Sequence, residues 1–186
     1  SSQNLSDMSL ISPLVEAGRA VVYPIYKDTY ERGPIDTSGR AAGRAWRIHI
    51  SQDLGRAIDY LETRKDIQTD KLAYYGFSWG TYVGPILVAV ENRFKVNVFV
   101  AGGFTNSRPQ PEADAFNFAP RITIPTLMVN GRYDFTYPLE TAQLPLFRSL
   151  GTPPEHKRHV LMDAGHMVPQ NQTVAEIAAW LDRYLG

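Results

Sequence analysis

The chain has 186 residues, 44% of them hydrophobic and 20% charged. That is one domain's length of core-forming sequence, and it excludes a disordered tail or a low-complexity spacer. Lys plus Arg and Asp plus Glu both number 19, so no basic excess favours nucleic acid as a partner, and the absence of cysteine excludes a disulfide scaffold, a thiolate metal site and a cysteine nucleophile.

Two kinds of segment alternate along the chain. Arg19–Tyr26, Lys71–Ser78, Val96–Ala101, Thr126–Gly131 and Arg158–Asp163 are short and rich in branched and aromatic residues. Near-continuous apolar runs of this length predict strands covered on both faces. From about Ala41 to Thr63, residues Trp46, Ile50, Leu54, Ala57, Ile58 and Leu61 recur at three- and four-residue steps and predict a long helix with one buried stripe. Trp79–Val90, Leu139–Leu150 and Thr173–Leu185 predict three more helices. Asn106 to Pro120 holds three prolines and reads as a surface excursion with a short helical turn near Phe116–Phe118. Strand and helix alternate, so the expected fold class is α/β, a mostly parallel sheet with helices on both faces. No second domain, repeat or linker stands out, and residues 1–186 read as one domain. No apolar run reaches the ~18 residues of a membrane-spanning helix, so no membrane partner is expected. The opening residues SSQNLSDMSL lack the basic-then-apolar pattern of a secretory leader.

Gly76-Phe77-Ser78-Trp79-Gly80 lies where a strand meets a helix. A serine at such a corner makes a sharp, strained turn, and small residues two before and two after it let neighbouring chain pass close. Its hydroxyl is a poor nucleophile near neutral pH and needs a base, which in turn needs an acid to fix its tautomer. Both are available downstream at strand ends: Asp134, just past Thr126–Gly131, and His166, just past Arg158–Asp163. In a parallel sheet all three lie on the edge where ligands of open α/β sheets bind. Asp163, Asp114 and Glu112 are rival acids. His49 sits in the long helix, while His156 and His159 precede or enter the last strand. Pro153-Pro154 argues against a helix that would align His156 and His159 on a metal, and no dinucleotide or phosphate-binding glycine motif occurs, so neither metal nor cofactor is expected.

Tyr74-Tyr75-Gly76-Phe77-Ser78-Trp79-Gly80, Asn130-Gly131-Arg132-Tyr133-Asp134 and Asp163-Ala164-Gly165-His166 resemble the α/β-hydrolase superfamily, and within it bacterial carboxylesterase-type C-terminal domains. The resemblance spans nearly the whole chain. It implies nucleophile, acid and base at Ser78, Asp134 and His166, and an oxyanion donor at the backbone N–H of Trp79. It makes about Ser6–Ala17 a helix and Arg19–Tyr26 the fourth strand of the family's sheet. The first three strands and the second oxyanion donor then have no counterpart, and the missing third strand belongs between Arg19–Tyr26 and Lys71–Ser78. The chain is accordingly expected to be the C-terminal portion of a longer protein, with an upstream segment completing the sheet. Five adjacent, fully paired strands would contradict this.

The reaction the resemblance implies is hydrolysis of a carboxylic ester through an acyl-enzyme. The Phe104–Pro120 region, where the superfamily commonly inserts a lid, is short, which favours small or short-acyl esters. Trp79, Phe104, Phe135, Tyr137 and Met167 neighbour the site in sequence and are candidates for an apolar pocket. A serine peptidase of the prolyl-oligopeptidase type and a non-catalytic hydrolase-like regulatory domain are the alternatives.

Overall fold

The computed structural model describes residues 11–33, 39–106 and 109–186, and the chain divides into two compact units, Ser1–Thr69 and Asp70–Gly186. In the first unit, α1 (Ser12–Glu16) is the described part of the helix expected from Ser6; residues 6–10 lie outside the described residues. The long helix α2 (Arg40–Glu62) buries Ile50, Leu54, Ile58 and Leu61, the stripe that the spacing predicts. Asp53 of α2 ties down the preceding segment, since its carboxylate accepts the Lys27 N–H at 2.8 Å and pairs with Arg32 at 2.9 Å.

Arg19–Tyr26 is not a strand, contrary to its branched and aromatic content. Val22 and Tyr23 stand 47% and 46% exposed. A strand exists only as half of a ladder, because its N–H and C=O groups need a facing backbone. Among the described residues no strand pairs with this segment. Pro24 removes one ladder donor in addition.

The second unit carries a four-stranded sheet in the order β1-β2-β3-β4, all parallel: β1 (Ala73–Phe77), β2 (Val96–Val100), β3 (Thr126–Gly131) and β4 (Lys157–Met162). Every connection steps one strand in the same direction. Right-handed crossovers therefore put the intervening helices on one face: α3 (Trp79–Val90) against β1 and β2, followed by α4 (Ala115–Phe118) and α5 (Leu144–Ser149). The last helix, α6 (Gln170–Leu185), packs on β2 and β3. Those two strands are buried at every residue, which requires cover on both faces. Phe99, Leu127, Met128, Leu87, Leu146 and Ile177 are the large, fully buried centre of this core.

The helix expected over Leu139–Leu150 is split. Leu139–Gln143 forms a π-helical turn and α5 begins only at Leu144. Pro145 has no N–H to continue an α-helical ladder across this point, so the winding resets just before it. Among the described residues no helix is long and apolar enough to cross a membrane.

One strand residue makes stability pH-dependent. His159 on β4 packs on Phe147, with ring centroids 5.3 Å apart, and its Nε2–H donates to Asn130 Oδ1 at 3.1 Å. Burial lowers its pKa from 6.5 to about 4. The unfolded chain takes up this proton below about pH 6.5 while the folded chain resists it to about pH 4. Stability is therefore full above the higher value and falls as pH drops through the window between them. His159→Gln keeps an N–H donor but not the titration. Urea midpoints at pH 7 and 4.5 are expected to show the wild type losing on the order of 2 kcal/mol more than the variant. Equal losses would show that this histidine does not titrate on unfolding.

Candidate active site

The corner between β1 and α3 is built as the glycine-flanked pattern predicts. Ser78 sits at φ 49°, ψ −100°, a conformation that side-chain-bearing residues rarely adopt. It is held there from several sides. The Ser78 N–H donates to Val100 O at 2.8 Å, and the Ser78 carbonyl accepts from Tyr82 N–H at 3.0 Å. The buried Thr81 hydroxyl is shared between Gly76 O at 2.8 Å and Val100 O at 3.0 Å. Gly76 is required because a Cβ there would lie 2.6 Å from the backbone carbon of Gly80. Trp79 is the first residue of α3, which places its N–H at the positive end of the helix dipole.

Asp134 lies in the loop after β3, and His166 in the loop after β4. The structure brings both to Ser78. Ser78 Oγ is 2.8 Å from His166 Nε2, and His166 Nδ1 is 2.8 Å from Asp134 Oδ2. Asp134 is buried, and its other oxygen accepts the backbone N–H groups of Thr136 at 2.8 Å and Tyr137 at 3.0 Å. That carboxylate is thus fixed by three donors and held in one orientation. The imidazole lies against two rings, Tyr137 stacked at 5.9 Å and Phe77 tilted at 6.0 Å. Burial, then the nearby Tyr82 and Asp134, push the Tyr137 phenol up to about 12, so it stays neutral beside the pair.

What lets the two loops meet is Gly131 rather than Gly165. A Cβ on Gly131 would collide with the backbone carbonyls of Gly165 and Ala164, whereas a Cβ on Gly165 meets nothing nearer than 4.0 Å. The crossing is fastened by Arg132 N–H to Met162 O at 2.9 Å and Tyr133 N–H to Ala164 O at 3.0 Å. Gly131→Ala is expected to push the loops apart, destabilising the fold by ~2 kcal/mol and lowering turnover about 100-fold through displacement of His166 from Ser78. Thermal unfolding and turnover of whatever substrate the site accepts measure the two effects. A variant with native turnover would mean that the loop crossing does not set the geometry.

The rival residues are occupied elsewhere. Asp163 forms a surface pair with Arg132 at 2.7 Å, and Asp114 caps α4 by accepting the Phe116 N–H at 3.0 Å. Glu112 is exposed, on the turn Pro111–Ala113. His49 lies in α2, and His156 meets Tyr184 at 3.1 Å. Of the apolar candidates, Tyr137 touches His166 and Trp79 adjoins Ser78. Phe104 is buried, with Phe116 5.4 Å away. Phe135 and Met167 are 96% and 64% exposed, so each points into solvent beside the site rather than into packed protein. Sequence reasoning missed Gly131 and the buried Gln143. A glycine closing an apolar strand was a visible signal for the first; nothing local marked the second.

A family model described as serine hydrolase (FSH1) matches residues 29–177. No curated protein matches the chain in sequence. Among solved structures, the chain is similar to a cold-adapted esterase from an Arctic intertidal metagenomic library, at 26% identity and a TM-score of 0.63, covering 78% of this chain and 62% of that one. It is also similar to an acetyl xylan esterase from Paenibacillus sp. R4, at 20% identity and TM-score 0.62, covering 75% and 54%. A third is dipeptidyl peptidase 4 from Porphyromonas gingivalis, at 16% identity and TM-score 0.68, covering 86% and 26%. At those identities the last two share the fold. The chain spans less than two thirds of the length of each of the three.

Proposed function

Since the chain belongs to the serine hydrolase (FSH1) family and has the α/β-hydrolase fold, we propose that this hydrolase is a serine carboxylesterase acting on small or short-acyl esters. The observation that carries the proposal is the unbroken hydrogen-bond chain from Ser78 Oγ through His166 to Asp134, 2.8 Å at each link. His166 Nε2 takes the hydroxyl proton as Ser78 Oγ attacks the ester carbonyl, and returns it to the departing alcohol. Asp134 keeps the other ring proton on Nδ1 and stabilises the imidazolium. The Trp79 N–H stabilises the oxyanion, a contribution of about 3 kcal/mol per donor. Water activated by His166 then releases the acid and restores Ser78.

The short region between β2 and β3 supports the substrate size: its described part holds only brief turns and α4, too little chain to roof a long acyl tunnel. Trp79, Phe104, Phe135, Tyr137 and Met167 are proposed to form the apolar surroundings of the acyl and alcohol groups. We take residues 1–186 as one catalytic domain, the C-terminal portion of the hydrolase and lidless or with a short lid, since the matched region runs through both compact units. β1 pairs with β2 alone among the described residues, and an upstream segment is proposed to complete the sheet at that edge.

Acetyl and butyryl p-nitrophenyl esters set against chromogenic dipeptide amides test the reading, with and without upstream sequence. Ester turnover and one covalent label per chain at Ser78 from an organophosphonate are expected. Preferred cleavage of the amides would favour the peptidase alternative. Neither turnover nor labelling of either form would favour the regulatory one.

A further inference from the structure

We infer that Gln143 is a positioning residue that sets the loop bearing Asp134, an inference that rests on the hydrolase reading above. Gln143 is fully buried, and its side-chain amide donates both hydrogens: to Gly131 O at 2.9 Å and to Tyr137 O at 2.8 Å. Both partners are carbonyls, so only one orientation of the amide fits. These two carbonyls bracket the segment that holds Asp134. Each also belongs to a residue bonded to Asp134 itself, through Asp134 N–H to Gly131 O at 3.3 Å and Tyr137 N–H to Asp134 Oδ1 at 3.0 Å. One side chain therefore holds both ends of the acid loop, including the backbone of Tyr137, whose ring stacks on His166.

The backbone supporting Gln143 is shaped for this. Its N–H donates to Pro138 O at 3.3 Å, five residues back, which closes the π-helical turn. The turn is in turn fastened to the end of β2, where Phe104 N–H donates to Ala142 O at 3.1 Å. Gln143 Oε1 is buried and has no hydrogen-bond partner among the described residues. An unsatisfied buried carbonyl disfavours folding, and methionine would fill the same space without that penalty. Packing alone thus gives no reason for an amide here, whereas the two donated bonds give one.

Gln143→Met is the test, with kcat referred to the active-site concentration titrated by organophosphonate. The expected result is a ~10- to 100-fold lower kcat on p-nitrophenyl acetate with KM within about twofold. The low-field NMR resonance of the His166 Nδ1 proton is expected to be lost. A folded variant with native kcat and an intact resonance overturns the inference, and so does a lower melting temperature alone, which would mark a merely structural residue. Should the variant not fold, the wild-type protein decides. Both Gln143 amide protons must exchange slowly with solvent and show through-space contacts to the 131–137 loop; rapid exchange overturns the clamp. The NMR measurements need no turnover, so they stand even if the protein hydrolyses none of the esters, an outcome that would fall on the hydrolase reading instead.

Discussion

Ser78→Ala is expected to lower kcat on short p-nitrophenyl esters by about 10⁴- to 10⁶-fold and to abolish organophosphonate labelling. The reason is chemical: the Ser78 hydroxyl lies 2.8 Å from His166 Nε2, in place to be deprotonated, and alanine offers no oxygen. The variant should fold as the wild type does, because alanine retains the Cβ and hence the same strain at φ 49°. Ser78→Gly makes a sharper companion. It should be equally inactive yet more stable by ~1 kcal/mol, since glycine adopts positive φ without the clash. Urea denaturation compares the three proteins. Activity surviving in Ser78→Ala would remove Ser78 from the chemistry and the esterase reading with it.

Asp134→Asn should cost kcat about 10³- to 10⁴-fold while leaving KM nearly unchanged. Its direction follows from the donors around the carboxylate. Oδ1 receives two backbone N–H groups, from Thr136 and Tyr137. An asparagine must put its carbonyl oxygen there, because its NH2 facing two donors would be repulsive. The NH2 then faces His166 Nδ1 and makes that nitrogen an acceptor. The ring proton moves to Nε2, which can no longer take the proton of Ser78. The loss is thus one of tautomer rather than of shape. Steady-state kinetics and disappearance of the Nδ1 proton resonance check it. A variant within tenfold of the wild type would return Asp163 and the other nearby carboxylates to consideration as the acid.

The residues that meet at the candidate site were legible in the sequence. Ser78 declared itself by two glycines at a strand–helix corner, and Asp134 and His166 by falling just past apolar strands. The long helix α2 was legible because burial leaves a 3.6-residue period. Arg19–Tyr26 was misread because its composition favours a strand, while forming one depends on a neighbour that no local pattern can supply. The break in Leu139–Leu150 was carried by Pro145 and was overlooked beneath an otherwise helical run. Gln143 was invisible: a glutamine in a helical pattern usually faces solvent, and its burial against two loop carbonyls is set by tertiary packing.

The sequence by itself determined the class of fold, the order of four strands' worth of apolar segments and the choice of Ser78, Asp134 and His166, which the fold brings into one hydrogen-bonded chain. These depend on periodicity, turn residues and side-chain chemistry, all local properties. The tertiary structure alone decided that Gly131 lets two loops cross, that Tyr137 and Phe77 lie against the imidazole, and that Gln143 joins both ends of the acid loop. Each of these depends on which backbone passes within a few ångströms of which other, and parallel strands bring together segments separated by tens of residues that no local pattern relates.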